Sequence, residues 1–303
     1  MNSYYKKFLE NINLTSAQIE DGRTKYRGVC DCLARAFYGR GLCDNDKILF
    51  GSFKTKTQVR PMGAGQDVDV VFKIDKNTYE TYQNNPSGML QKVRSILKDT
   101  YTTTDHISAW GKVVLVEFTE GCHNVEVAPC FEKEDGVFLI PNTCYSEVDW
   151  EEFDVRGQLD SFTSSNEVSH GLSKDLVKIV KKWVRNTSSL KYSSYNIVND
   201  VIDFISENYP SGRGSASYDI VLKDWFTYME NHTPSHLMDY KTCITTAKNR
   251  AVKAMQFANE GKYVEATQEC RKIFGDMFPK AEKNDIKVKE CSIISPVRPW
   301  ASC

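Results

Sequence analysis

At 303 residues the chain is long enough for one large or two ordinary domains, and its apolar and charged fractions, 41% and 26%, are those of a soluble globular protein. A formal net charge of −1 leaves no global basic field to hold long nucleic acid by counterion release, so no stable complex with such a polymer is expected. The N-terminal MNSYYKKFLENINL lacks an apolar signal segment and no apolar run is long enough to span a membrane, so the ten cysteines are expected as reduced thiols of a cytoplasmic protein.

In chain order, residues 16–39 predict a long amphipathic helix, with Thr15 and Gln18 as a capping box and Ile19, Tyr26, Val29, Cys30, Leu33 and Phe37 at helical spacing. Cys30, Cys32 and Cys43 read either as zinc ligands lacking a fourth partner or as plain thiols. KILFGSF predicts a short strand running into a Gly-Ser turn at Gly51-Ser52. Such a turn offers backbone N–H groups and a hydroxyl to phosphates. The strand VDVVFKI follows, carrying Asp67 and Asp69 one residue apart and therefore on one face. Two like charges side by side on a sheet repel. A divalent cation relieves that, and Mg²⁺ is bound through one or two carboxylates together with substrate phosphates; the alternative is a solvated loop.

Residues 77–99 predict a second helix interrupted at Pro86-Ser87-Gly88, and GKVVLVEFTEGCHNVEVAPCFE predicts a hairpin with strands from Lys112 to Phe118 and from Asn124 to Ala128. Glu126 stands between two valines of the returning strand. It is either a third metal ligand beside the aspartates, as two-metal catalysis requires, or a solvent-facing residue with Val125 and Val127 inward. Beyond residue 160, LSKDLVKIVKKWV, YNIVNDVIDFI and YDIVLKDWFTYM carry helical periodicity. The polar, Ser-rich WEEFDVRGQLDSFTSSNEVSHG predicts a loop-rich crossing, and residues 206–217 an exposed loop.

Taken together, GSF(x3)T, DVDV, VEVAP and FLIPN, in that order, resemble the nucleotidyltransferases of the polymerase-β superfold, and within them the cGAS/DncV-like synthetases of bacterial anti-phage (CBASS) systems. LVKIVKKW places Lys181 two positions before a Trp, as in the family's phosphate-contacting helix, and SYNIVNDVIDFI places Ser194 where the family's serine approaches the triphosphate. The closing helices with FG…FP extend the likeness to about residue 280. Three positions depart from the pattern. Lys56 stands where the loop has a second glycine, and either adds charge near phosphates or points outward. Glu126 stands for an aspartate, and Asn199 for an acid.

The resemblance implies an α+β fold: a polymerase-β-like nucleotidyltransferase lobe over residues 1–160 (mixed sheet, helices, long N-terminal helix), a helical lobe over 161–285 with the active site in the cleft between them, and a flexible tail over 286–303. It implies catalysis and metal binding by Asp67, Asp69 and Glu126 holding two Mg²⁺ ions (Mn²⁺ as a substitute), with Gly51, Ser52, Lys181 and Ser194 on the nucleotide phosphates. The implied reaction joins NTPs into a cyclic di- or trinucleotide second messenger that is read by a downstream effector. A transferase acting on a small molecule, protein or RNA end is a second reading, and a catalytically silent nucleotide-binding scaffold a third. Tyr145 and Tyr195 either stack a base or pack in the core. The tail, with Pro296, Pro299 and Cys303, either serves a ubiquitin-like conjugation enzyme, as in many family members, or is a disordered end without a role.

Overall fold

A computed structural model describes residues 1–63, 67–104, 106–144 and 149–282. The predicted tail at 286–303 and Tyr145 lie outside them. The chain divides into two compact units, one of residues 13–178 and one joining residues 1–12 to residue 179 onward. This differs from the expected division near residue 160. The first helix, α1 (Asn2–Ile12), groups with the C-terminal part, and the break falls within a later helix.

In the unit of residues 13–178, α2 (Ser16–Tyr38) starts at the expected capping box: Gln18 N donates to Thr15 Oγ1 at 3.2 Å and Thr15 N to Gln18 Oε1 at 2.9 Å. It ends at Gly39 in the left-handed conformation. Tyr26, Val29, Cys30 and Leu33 are buried, but Ile19 is 40% exposed and belongs to no core stripe. Next come β1 (Lys47–Leu49), α3 (Gly51–Lys54) and β2 (Val68–Ile74). The helix predicted over 77–99 is two, α4 (Lys76–Tyr82) and α5 (Pro86–Thr100), because Pro86 opens a new helix capped by Asn85. The strands β3 (His106–Trp110), β4 (Val113–Glu117), β5 (Val125–Glu132), β6 (Phe138–Asn142) and β7 (Asp149–Glu152) complete the sheet.

The strand order is β1-β2-β5-β4-β3, with β6 extending from β5 and β7 from β6. Among the described residues only β2 and β5 pair in parallel, which makes the sheet mixed. Alternation sorts their side chains onto two faces. Val68, Val70, Phe72, Val125 and Val127 join Val29, Leu33, Met89 and Val93 of α2 and α5 in one core. Val71, Ala128 and Cys130 face the opposite way, toward Phe138, Ile140 and Val155.

The polar run after residue 150 is not a loop but β7 followed by α6 (Val155–Val168) and α7 (Leu172–Asn186). Its two buried serines find a partner in Ser173 of α7, whose Oγ lies 2.8 Å from Ser165 Oγ and 2.9 Å from Ser169 Oγ, while Ser161 and Ser164 are exposed. Buried hydroxyls paired this way escape the cost of burial, which explains how a polar sequence packs as helix.

In the other unit, α8 (Ser194–Asn208), α9 (Tyr218–Asn231), α10 (Lys241–Asn259) and α11 (Tyr263–Phe274) enclose Trp183, Phe204, Trp225 and Phe226. Tyr5 and Phe8 of α1 each pack on Phe278 with ring centroids 5.1 Å apart, so the FG…FP stretch is the docking seat of the N-terminal helix. Among the described residues no helix is long and apolar enough to cross a membrane.

Candidate active site

Asp67 immediately precedes β2 and Asp69 lies within it, on the face shared with Val71. In the parallel pair β2–β5, Asp69 is the direct register partner of Glu126. Val125 and Val127 do point into the core, but Glu126 then takes the opposite face, the one that carries Asp69. All three acids are partly buried.

Gly51 fixes where the Asp69 carboxylate lies. Phe50 N donates to Asp69 O at 3.1 Å, tying the turn to the strand. Gly51 has φ +64°, and a Cβ there would stand 2.0 Å from Asp69 Oδ2. Only glycine lets that carboxylate rest on the first turn of α3, beside Ser52. The turn closes through Thr57 N donating to Ser52 O at 2.9 Å, with Lys56 left-handed at φ +57°. That conformation gives the family's second glycine its physical reason, and the exposed Lys56 bears the strain.

The acids sit uneasily together. Burial first, then the Asp67 charge, raises the Glu126 pKa. Burial also raises that of Asp67, Glu117 adds to it, and a hydrogen bond from Asn124 opposes it. Carboxylates held up by desolvation and mutual repulsion suit a hard divalent cation, which reverses both effects, so this donor set fits Mg²⁺ or Mn²⁺. Glu117 is a fourth acid on this face that sequence reasoning passed over. Register pairs Leu115 with Glu126, and two residues on, Glu117 points the same way. The alternation in VVLVE carried that signal.

A second group had no local signal in the sequence. Buried Gln58 donates from Nε2 to Asp67 O at 2.9 Å, while its Oε1 lies 3.0 Å from His123 Nε2. His123 Nδ1 lies 3.1 Å from Asp21 Oδ2, and Asp21 also accepts from the backbone N of Cys122 and His123, each at 3.1 Å. Lys25 pairs with Asp21 at 3.1 Å. Against the opposing pull of burial, these donors hold the Asp21 carboxyl well below the usual range. Burial lowers the His123 pKa, in spite of Asp21. Asp21, Cys122 and His123 bring ligand-type atoms within 4.8 Å of one another. Their hydrogen bonds and the adjacent Lys25 ammonium make them a bracket for the Asp67 backbone. Cys30 instead lies in the core with its thiol pushed up to about 12 by burial, Cys32 contacts Thr100 Oγ1 at 3.0 Å, and Cys43 is exposed, so these three form no zinc cluster.

Lys181 and Ser194 belong to the unit that begins at residue 179. Lys181 is a buried residue of α7, and Ser194 is the exposed first residue of α8, whose cap is Ser193 accepting from Asn196 N at 3.1 Å. Tyr195 is 58% exposed, which removes the core-packing alternative for its ring. Next to Asn199, Asp200 accepts from Tyr192 Oη and lies 3.0 Å from His236 Nε2.

The family model described as Second Messenger Oligonucleotide or Dinucleotide Synthetase domain (SMODS) matches residues 1–166. A probable cyclic nucleotide synthase of Bacillus cereus (strain VD146), IK1_05630, is 22% identical over 342 residues, covering 93% of this chain and 98% of the relative. CdnC of E. coli MS115-1, solved in a CdnC:HORMA-deltaN complex, superposes with a TM-score of 0.69 at 16% identity, over 92% of this chain and 98% of that one. The cyclic AMP-GMP synthase DncV of Vibrio cholerae, solved with the linear intermediate 5′ pppA(3′,5′)pG, gives 0.72 at 12% identity, over 92% and 96%. The likeness to the solved structures is one of fold, a polymerase-β-like nucleotidyltransferase with a mixed sheet and many helices.

Proposed function

We infer that this chain, which belongs to the second messenger oligonucleotide or dinucleotide synthetase family, is a nucleotidyltransferase that joins NTPs into a cyclic di- or trinucleotide and releases pyrophosphate. The observation that carries the reading is the register of β2 on β5, which sets Glu126 beside Asp69 on the face that Asp67 also serves, next to Gly51-Ser52. Asp67, Asp69 and Glu126 would hold two Mg²⁺ ions, or Mn²⁺ in their place. When bound, such ions supply Lewis acidity toward the acceptor hydroxyl and neutralise triphosphate charge.

The chain's own residues do the placing. Gly51 leaves room for Asp69, Gln58 fixes the Asp67 backbone, and Ser52 presents its hydroxyl and amide to phosphate oxygens. For Lys181 and Ser194 the proposed phosphate contacts rest on the sequence resemblance. The names of the Bacillus cereus and Vibrio cholerae proteins support a cyclic product. Signalling to a cyclic-nucleotide-sensing effector in cytoplasmic anti-phage defence, and conjugation of the C-terminal tail, are the corresponding proposals for partners.

The test is incubation with the four labelled NTPs and Mg²⁺, followed by phosphatase. A phosphatase-resistant nucleotide is expected, absent with Asp69→Asn. Label appearing only on an added acceptor would assign a different transferase, and no incorporation under any condition would leave a nucleotide-binding scaffold.

A further inference from the structure

Beside the acids, one row of residues crosses β2, β5 and β4 with a neutral side chain at its centre. Val125 is level with Val68 of β2 and with Val116 of β4. One residue back along the chain from Val125, the partly buried Asn124 therefore stands between Asp67 on one side and Glu117 on the other. Two residues before Glu126, it shares that acid's face. The carboxylates it separates repel, Glu117 acting against the charged form of Asp67.

Asp67 is held at three points. Gln58 Nε2 donates to its carbonyl at 2.9 Å, and the next amide, Val68 N, donates to Asn124 O at 2.9 Å. These two bonds fix the backbone but leave the carboxylate free to turn, because the terminal torsion of an aspartate is soft. The third point is the carboxylate itself, which is hydrogen-bonded to the Asn124 side chain. The sense of that amide is set at its other end. Phe118 N donates to Asn124 Oδ1 at 3.2 Å, so Nδ2 is the group turned to Asp67. An aspartate at this position would lack the donor and add a third charge to the row. A lysine would bring a donor but cancel the charge that draws a cation. A neutral amide orients one carboxylate and does neither.

We propose that Asn124 is a positioning residue: its amide fixes the plane of the Asp67 carboxylate, and the fixed plane makes the site prefer Mg²⁺ to a larger ion such as Ca²⁺. This role rests on the reading of Asp67, Asp69 and Glu126 as metal ligands. Mg²⁺ demands near-ideal octahedral geometry, whereas Ca²⁺ accepts carboxylates through one oxygen or two and a variable number of ligands. Loosening one carboxylate therefore harms Mg²⁺ first.

The test titrates the full chain with Mg²⁺ or Ca²⁺, without nucleotide and at constant ionic strength, and reads the rise in Tm, which needs no turnover. Both ions should stabilise the wild-type chain, and Asp69→Asn should remove the effect. In Asn124→Ala the apparent affinity for Mg²⁺ should fall about tenfold, and that for Ca²⁺ less than about threefold. Asn124→Asp keeps the acceptor for Phe118 N and loses only the donor, so it separates the orientation of Asp67 from the tie between β4 and β5. Its preference for Mg²⁺ over Ca²⁺ should also fall, by about threefold or more. Equal weakening of the two ions in Asn124→Ala, or the wild-type preference in Asn124→Asp, overturns the proposal and leaves the metal site standing. If neither ion stabilises the wild-type chain, or if Asp69→Asn leaves the stabilisation intact, the acids are not the ligands and the role of Asn124 falls with them.

Discussion

Gly51→Ala isolates the contact on which the proposed site turns. A Cβ at this position would stand 2.0 Å from Asp69 Oδ2, whereas carbon–oxygen contacts settle near ~3.3 Å or beyond, so the carboxylate must move by more than about 1 Å. Misplacement of about that size at a reacting centre costs on the order of 100-fold in rate, or ~2.7 kcal/mol of barrier. The backbone effect is separate. Placing a side chain at φ +64° costs roughly 1–2 kcal/mol of stability, a few degrees in Tm. Gly39→Ala supplies the control, because Gly39 has φ +63° and nothing within 4 Å of a Cβ. Both variants should lose similar stability by thermal denaturation, while pyrophosphate release from NTPs falls about 100-fold in Gly51→Ala alone. Turnover of Gly51→Ala within threefold of Gly39→Ala, with both folded, would refute the placement of Asp69 at the reacting centre.

Two further outcomes follow from the same geometry. Burial and the Asp67 charge raise the Glu126 pKa, so the metal-free native state holds that proton more tightly than the unfolded chain. Stability contributed by this group therefore falls as pH rises from the ordinary glutamate range through the raised value. At neutral pH Glu126→Gln should raise Tm by roughly 2–4 °C per kcal/mol of repulsion relieved, abolish turnover and shrink the stabilisation by Mg²⁺; a lowered Tm in a pH-resolved thermal shift assay would count against it. Gln58→Ala leaves the Asp67 carbonyl and His123 Nε2 without their partner in the interior, at a cost of about 1–3 kcal/mol. The Mg²⁺ concentration for half-maximal activity should rise severalfold with little change in KM for NTP, and an unchanged Mg²⁺ requirement would reduce Gln58 to a packing residue.

The sequence by itself determined what local chemistry can encode. Thr15 and Gln18 announced the start of α2, alternation in VDVVFKI and VEVAP announced β2 and β5, and the motifs in their order announced the family. It misread the Ser-rich run after residue 150, because a hydroxyl's polarity is local information whereas its partner, such as Ser173 for Ser165, is not. Only the tertiary structure decided that Glu126 pairs with Asp69, since parallel strands are joined through a long excursion whose register no periodicity records. The bracket of Asp21, His123 and Gln58 around Asp67 and the bond between Asn124 and Asp67 have the same origin. Each joins residues that are remote along the chain, and burial converts their meeting into hydrogen-bond and charge energies that no single segment carries.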